Sequence, residues 1–264
     1  MDDAPIIDPG QSSSGFHRIW CYIYCPRLFG YKEVLGLNPK VLSSPLALGS
    51  AVHSGLGAHY LGKPFELGLA HPQKGWAYKV PIAREICEAY VRHFVREPFK
   101  VLDVEKELVV HVNGRKFTRR IDLIVLWHGK IILIDHKTAA RPKNRFSSVA
   151  HEGALFTQEL VGRVTVPKLY GQPFGGVWLN VIGTNAPYEF IRKPLHFPPN
   201  ILRSAAKSLD FWLKGAEDLI NSGLSPWEYP QSWQCQGRYS RCDYWDLCKI
   251  GREAETLFEY REAV

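Results

Sequence analysis

The sequence predicts an α/β fold in which a central mixed β-sheet is flanked by helices. Three observations predict it: helical periodicity before and after the middle of the chain, alternating apolar residues with two turn signals within it, and 45% hydrophobic residues in a chain of 264. We expect a single domain over 1–264. Its parts are predicted as a flexible arm (1–11), an N-terminal helical part (12–100), a sheet core (101–195) and a C-terminal helix with a cysteine-rich tail (196–264).

Composition and charge narrow the class of protein. A chain with 22% charged and 45% hydrophobic residues is too apolar to be disordered. The sequence lacks the roughly 18 consecutive apolar residues of a membrane-spanning helix, and its first twenty residues lack a signal pattern. We therefore expect a cytoplasmic protein without a membrane partner. The 33 Lys and Arg exceed the 26 Asp and Glu, and the net charge of +7 favours a polyanionic partner.

Helical signals fill the N-terminal part. An aromatic and apolar stretch predicts a helix at 16–24, which ends where Pro26 disfavours helical geometry at the preceding residue. Apolar residues spaced by four predict helices at 46–61 and 82–96. The first of these carries His53, a candidate functional residue.

From residue 101 the apolar pattern alternates instead. Asn113-Gly114 is a strong hairpin signal and His128-Gly129 a weaker one. Strands are expected at about 104–112, 115–127, 130–138 and 175–183. Helices are expected at 150–171 and 198–222.

The second hairpin brings acidic residues together. If Trp127 and Lys130 close the turn, paired positions sum to 257, so Asp122 lies opposite Asp135 and Lys137 shares their face. Two carboxylates without an arginine beside them repel, which favours binding of Mg²⁺ or Mn²⁺. Such an ion with a lysine beside it can hydrolyse a phosphodiester.

Two simpler interpretations remain open for this patch. Asp122 and Lys137 could form an inter-strand salt bridge, and a register slip of one residue would turn the two aspartates to opposite faces. In the first hairpin, positions summing to 227 place Glu105 opposite Asp122. Glu105 could be an acid just outside the metal's ligands, although a solvated or structural role is the simpler interpretation.

The same residues carry a family resemblance. Asp122 followed by Asp135-His136-Lys137 resembles the Asp, then Asp/Glu-x-Lys, signature of the PD-(D/E)XK nuclease superfamily, with Ile121 where proline often stands. Gly49-Ser50-Ala51-Val52-His53 resembles the helix-borne histidine motif of the RecB-like branch. Gln158 resembles that branch's downstream glutamine, whereas Gly162 stands where a tyrosine usually follows.

The resemblance implies a restriction-endonuclease-like core and a set of active-site roles. Lys137 would be the catalytic lysine, and Gln158 would contact the lysine, the water or a substrate phosphate. The implied metal ligands are His53, Asp122, Asp135 and the backbone carbonyl of His136.

The cysteines form a second candidate site. Cys235, Cys242 and Cys248 together with the distant Cys25 can close a four-sulfur site for a [4Fe-4S] cluster or Zn²⁺, and their spacing does not choose between the two. The layout resembles iron-sulfur RecB-like nucleases, including CRISPR-adaptation exonucleases, which have one cysteine before the core and three after it. Cys21 is a competing ligand, and disulfides in an exported protein are a further alternative.

Basic residues flank the acidic patch on both sides. Such side chains offer sequence-independent contacts to DNA phosphates, although each group alone could be a solvated face. The predicted DNA-binding residues are Arg119, Arg120, Arg141, Lys143 and Arg145.

These observations predict a metal-dependent nuclease, and the resemblance implies a DNA exonuclease that acts on ends or single strands in DNA processing or recombination. A strand-annealing or recombination protein is a candidate partner. Two other functions remain open: a non-catalytic DNA-binding or assembly subunit with this fold, and a zinc-stabilised nucleic-acid-binding adaptor.

Overall fold

The computed structural model describes residues 14–40, 44–69, 77–149, 153–233, 235 and 241–261. The α-helices are α1 Phe16–Tyr24, α2 Pro26–Phe29, α3 Ser44–Tyr60, α4 Phe65–Leu69, α5 Val80–His93, α6 Pro142–Val149, α7 Gly153–Tyr170, α8 Pro199–Ile220 and α9 Trp245–Ile250. The strands are β1 Leu37–Pro39, β2 Lys100–Val112, β3 Arg115–Trp127, β4 Lys130–Ala139, β5 Phe174–Gly183, β6 Phe190–Pro194 and β7 Phe258–Tyr260.

Strands β2 to β6 form one five-stranded sheet in chain order. The β4–β5 pair is parallel and the other pairs are antiparallel, so the predicted mixed sheet is confirmed. Helix α7 packs on one face with Ile131 and Leu133, and the opposite face buries Ile132 and Ile134 in a second cluster beside α3. Coverage on both faces explains why β4 is an almost continuous apolar run.

The registers of both hairpins follow their turns. Pairs run from Trp127↔Lys130 to Leu123↔Ile134, so the predicted sum of 257 is confirmed over these pairs. The β2–β3 pairs sum to 227 as far as Asp103↔Ile124, where the register then shifts. Asn113 and His128 have left-handed φ angles of 47° and 46°, and a glycine follows each, as tight turns of this class require.

Several elements were not predicted from the sequence. Strand β6 is five residues long and antiparallel to β5, and α6 begins just after the basic residue Arg141. Strands β1 and β7 form a two-stranded sheet in which Leu37 faces Tyr260. Three-residue strands more than 200 positions apart leave no local periodicity, so only the tertiary structure reveals this pair. The predicted arm at 1–11 lies outside the described residues.

Candidate active site

Asp122 lies at a break in the alternation of β3. Ile121 and Ile124 both point into the core under α7, whereas Leu123 points to the opposite face, so the side-chain alternation is irregular at this point. The Asp122 carboxylate accepts a 2.6 Å hydrogen bond from the backbone N–H of His136 on β4. A side-chain oxygen therefore serves as acceptor one step beyond the last backbone pair, Leu123↔Ile134.

Asp122 forms a compact group with His53 and Glu105. One ligand atom from each residue lies within 4.8 Å of those of the other two, and His53 Nδ1 is 3.7 Å from Asp122 Oδ2. Glu105 reaches the group from a left-handed position in β2, at φ 51°. The structure thus places Glu105 among the candidate metal ligands, where the sequence favoured a solvated or structural role.

Asp135 and Lys137 form the second half of the site. Asp135 is 4% exposed, and its Oδ2 contacts the Lys137 ammonium. Arg119 Nη2 lies 3.9 Å from Asp135 Oδ1, and the Arg119 side chain is only 13% exposed. The premise that no arginine accompanies the carboxylates is therefore wrong. Arg119, predicted to contact DNA, instead faces the Asp135 carboxylate from the inside of the protein.

The electrostatics of the site favour a bound cation. Burial raises the pKa of Asp122, and the nearby Asp135 raises it further, against the opposing effects of His53, Lys137 and the His136 N–H. The ionised carboxylate is thus unfavourable in its surroundings, and a divalent ion would offset that cost. Two carboxylates and one imidazole are ligands that Mg²⁺ or Mn²⁺ can accept.

His136 connects the two halves of the site through its backbone. Its N–H binds Asp122, and its carbonyl, the fourth predicted metal ligand, lies 3.3 Å from Lys137 Nζ. The imidazole is buried, and its Nδ1 lies 2.8 Å from the amide of Asn180 on β5. The sequence analysis did not single out Asn180, although a lone polar residue in a buried strand is a signal for such a contact.

Gln158 lies on α7 and is completely buried. Within the described part of the chain, neither atom of its amide has a hydrogen-bond partner. One turn later, a Cβ on Gly162 would lie 2.6 Å from the Phe174 ring and 2.9 Å from Leu133. Phe174 thus fills the space that a tyrosine at position 162 would need, which accounts for the departure from the expected pattern.

The other predicted DNA-binding residues lie nearer the surface. Arg120 is 3.8 Å from Glu107, with 21% of its side chain exposed. Lys143 is 80% exposed and lies 3.8 Å from Glu189. Arg141 is exposed and Arg145 is half-buried, and both follow the strand that carries Lys137.

The four predicted cluster cysteines meet at one cavity, which is lined by Cys25, Cys235, Cys242 and Cys248. The backbone N–H of Ser232 lies 3.4 Å from Cys25 Sγ, and Gln231 Nε2 lies 3.2 Å from Cys235 Sγ. Cys21 and Cys87 do not line this cavity. Burial raises the pKa of Cys21 to about 11 and that of Cys87 to about 12, which makes both thiols poor nucleophiles.

In the described residues, no helix has the length and apolar character needed to cross a membrane. A search of curated proteins gave no match. A solved structure named "Putative exonuclease" from Eubacterium rectale aligns with a TM-score of 0.60 at 13% identity and covers 95% of this chain and 90% of its own. The protein SSO0001 aligns at 19% identity over 84% of this chain and 93% of its own, with a TM-score of only 0.34.

The first alignment supports the fold: a five-stranded mixed sheet flanked by helices, as in restriction-endonuclease-like cores. A family model described as the PD-(D/E)XK nuclease superfamily matches residues 16–249, most of the length of the chain. The residues of that signature, Asp122, Asp135 and Lys137, lie at adjoining positions on β3 and β4. The chain belongs to the PD-(D/E)XK nuclease superfamily.

Proposed function

We propose that the protein is a metal-dependent DNA exonuclease of the RecB-like branch. The observation that carries the proposal is the group of His53, Glu105 and Asp122 beside the Asp135–Lys137 pair. A nuclease needs anionic ligands for a divalent ion and a cationic group beside them, and these five side chains supply both. Glu105 is added to the ligands implied by the sequence because its carboxylate belongs to the same group.

Different residues of the site would carry out different parts of phosphodiester hydrolysis. A divalent ion in this site would act as a Lewis acid on the scissile phosphate and lower the pKa of a coordinated water. The Lys137 ammonium, held by Asp135, can donate a hydrogen bond to the attacking water or to a phosphate oxygen. The amide of Gln158, which has no hydrogen-bond partner among the residues that the structure describes, is a further donor for the water or the phosphate.

Substrate binding is proposed to rely on charge rather than base sequence. Arg141, Lys143 and Arg145 follow β4 directly, so a DNA backbone entering the site passes them. Arg120 is a further candidate, on the strand of Asp122. Phosphate contacts of this kind predict binding that weakens steeply with salt. DNA ends or single strands are the proposed substrates, and a strand-annealing or recombination protein is the proposed partner.

We also propose that the four-thiol cavity binds a [4Fe-4S] cluster. Four thiols around one cavity can hold a cluster or a zinc ion, and the layout of one cysteine before the core and three after it, which resembles iron-sulfur RecB-like nucleases, favours the cluster. The cluster would tie Cys25 near the N-terminus to Cys235, Cys242 and Cys248 near the C-terminus.

The cluster proposal is tested on anaerobically purified protein. We expect absorbance near 400 nm and about four irons per chain. Cys248→Ser should remove both signals, whereas Cys21→Ser, whose thiol lies outside the cavity, should retain them. Stoichiometric zinc without iron would contradict the proposal.

The nuclease proposal is tested with end-labelled linear DNA and covalently closed circles, each single- and double-stranded, with Mn²⁺, Mg²⁺ or EDTA. We expect metal-dependent release of nucleotides from linear substrates and intact circles. Asp135→Ala and Lys137→Ala should abolish cleavage while the circular dichroism spectrum is retained. Cleavage of circles would identify an endonuclease instead, and full activity of either variant would refute the proposed site.

A further inference from the structure

A chain of buried and half-buried polar side chains lies behind the proposed metal site. Its members come from five strands and helices and from the segment after α5, and each is joined to the next by a hydrogen bond. We call it the Asn180 network: His136, Asn180, Tyr90, Tyr60, Glu97 and Arg192.

Asn180 bridges β4, the strand of Asp135 and Lys137, and helix α5. Its Nδ2 donates to His136 Nδ1 and to the Tyr90 hydroxyl, both at 2.8 Å. The Tyr90 hydroxyl also accepts a 2.6 Å bond from Arg192 Nη2. Since Tyr90 accepts two hydrogen bonds, its own proton is available for a third partner.

The Tyr90 proton connects, through the Tyr60 hydroxyl, to the carboxylate of Glu97. The Tyr90 hydroxyl lies 2.7 Å from that of Tyr60, which in turn donates to Glu97 Oε1 at 2.6 Å. Arg192 binds both oxygens of Glu97, at 2.6 and 3.0 Å, so this end of the network is a fixed ion pair. From Asn180 through Tyr90 and Tyr60, successive donors point toward Glu97, an arrangement in which hydrogen bonds reinforce one another.

The other end of the network is the His136 ring. It lies nearly parallel to Tyr60, at 15° and 6.0 Å between centroids, and its edge meets His53 at 6.0 Å. Because the Asn180 Nδ2 can only donate, the His136 Nδ1 accepts this hydrogen bond, so the imidazole is neutral with its proton on Nε2. The same residue's backbone contacts Asp122 and Lys137, so the position of the ring is linked to that of the metal site.

We propose that Asn180 and Tyr90 are positioning residues, which hold the His136 ring and thereby the backbone between Asp135 and Lys137. The inference rests on the proposed nuclease function and deepens it. A buried Arg–Glu pair with several polar partners is costly, and apolar residues of similar volume often stabilise a fold as well or better. Because the network lies directly behind the metal site, we assign it the role of holding the site's residues in place.

The test compares Asn180→Leu and Tyr90→Phe with the wild-type protein. Mn²⁺ affinity is measured by titration calorimetry, and kcat is measured on linear DNA at saturating Mn²⁺. Loss of such supporting contacts is expected to lower affinity or kcat by about 10- to 100-fold. Tyr188→Phe is the matched control, because it also removes a hydrogen-bonded tyrosine hydroxyl, whose partner Glu85 lies outside the network. It should behave as wild type.

A double-mutant cycle separates positioning from general support of the fold. In a His136→Phe background, Asn180→Leu should cause little further loss, because Asn180 acts through the imidazole. Equal losses in both backgrounds, or wild-type Mn²⁺ affinity and kcat in Asn180→Leu and Tyr90→Phe, would overturn the inference. Failure of the wild-type protein to bind Mn²⁺ or cleave DNA would instead refute the proposed function.

Discussion

The Asp122 carboxylate and the His136 backbone N–H share a 2.6 Å hydrogen bond that fastens the first acid of the site to the strand carrying the second. Asp122 therefore has a structural contact as well as a place among the candidate metal ligands. The two roles can be separated by substitution, since an asparagine retains an acceptor oxygen but no charge.

We predict that Asp122→Asn and Asp122→Ala both lose Mn²⁺-dependent cleavage but differ in stability. Without metal, Asp122→Asn should be at least as stable as wild type, because burial makes the ionised carboxylate unfavourable. Asp122→Ala leaves the His136 N–H unpaired and should cost about 1–3 kcal/mol. Urea unfolding in EDTA measures both. Equal stability of the two variants would show that the hydrogen bond contributes nothing.

Glu105 provides a prediction that concerns the metal alone. Glu105→Gln should weaken Mn²⁺ binding at least about tenfold, because one anionic ligand is lost from the group with His53 and Asp122. Glu107→Gln, two residues along the same strand and 3.8 Å from Arg120, is the matched control and should bind Mn²⁺ normally. Calorimetric titration distinguishes them. Similar affinities for both variants would remove Glu105 from the ligand set.

The difference between Glu105 and Asp135 shows how far the sequence could predict the site. Two short turns fixed the hairpin registers, and the confirmed β3–β4 pairs end at Leu123↔Ile134, one step before Asp122 and Asp135. The sequence could place Glu105 opposite Asp122. It could not predict the left-handed φ of Glu105, because no glycine or turn signal marks that position in β2. Arg119 looked like another surface cation because charge patterns do not reveal burial.

The same distinction applies to the rest of the fold. Long periodic elements such as α1 and β3 were predicted to the residue, since each carries its own signal. Asn180 and Tyr90 meet from positions 90 residues apart, and Leu37 pairs with Tyr260 across most of the chain. Contacts of this kind depend on the packing of several elements and have no local pattern.

We predict that substitution of Arg119 lowers the stability of the metal-free protein but raises its affinity for Mn²⁺. Its guanidinium lies 3.9 Å from Asp135 and is largely buried, so Arg119→Met should destabilise the metal-free protein by about 1–3 kcal/mol. The same change removes a positive charge that repels the metal, so Mn²⁺ should bind at least about threefold more tightly. Thermal unfolding with and without Mn²⁺ and calorimetry measure the two effects.

Arg120→Met is the control for this prediction, because Arg120 is the next residue and pairs with Glu107 away from the two aspartates. It should change Mn²⁺ affinity little. Weaker Mn²⁺ binding by Arg119→Met would mean that the arginine supports the ligand geometry more than it competes with the ion.

We expect the buried His136 side chain to make the free energy of unfolding depend on pH. Burial lowers its pKa well below the usual value, and the charges of His53, Arg192 and Lys137 act in the same direction. The unfolded chain protonates this histidine near pH 6.5 while the folded chain does not, so its contribution is present above that pH and is lost as the pH falls. The loss attributable to one group is at most about 1.4 kcal/mol per pH unit.

The variant His136→Phe tests this dependence. It retains a ring against Tyr60 but cannot be protonated, so its stability should fall less steeply between pH 7 and pH 5. Chemical unfolding across this range, with EDTA present, measures the two slopes, and identical slopes would show that the buried imidazole is protonated in the folded protein.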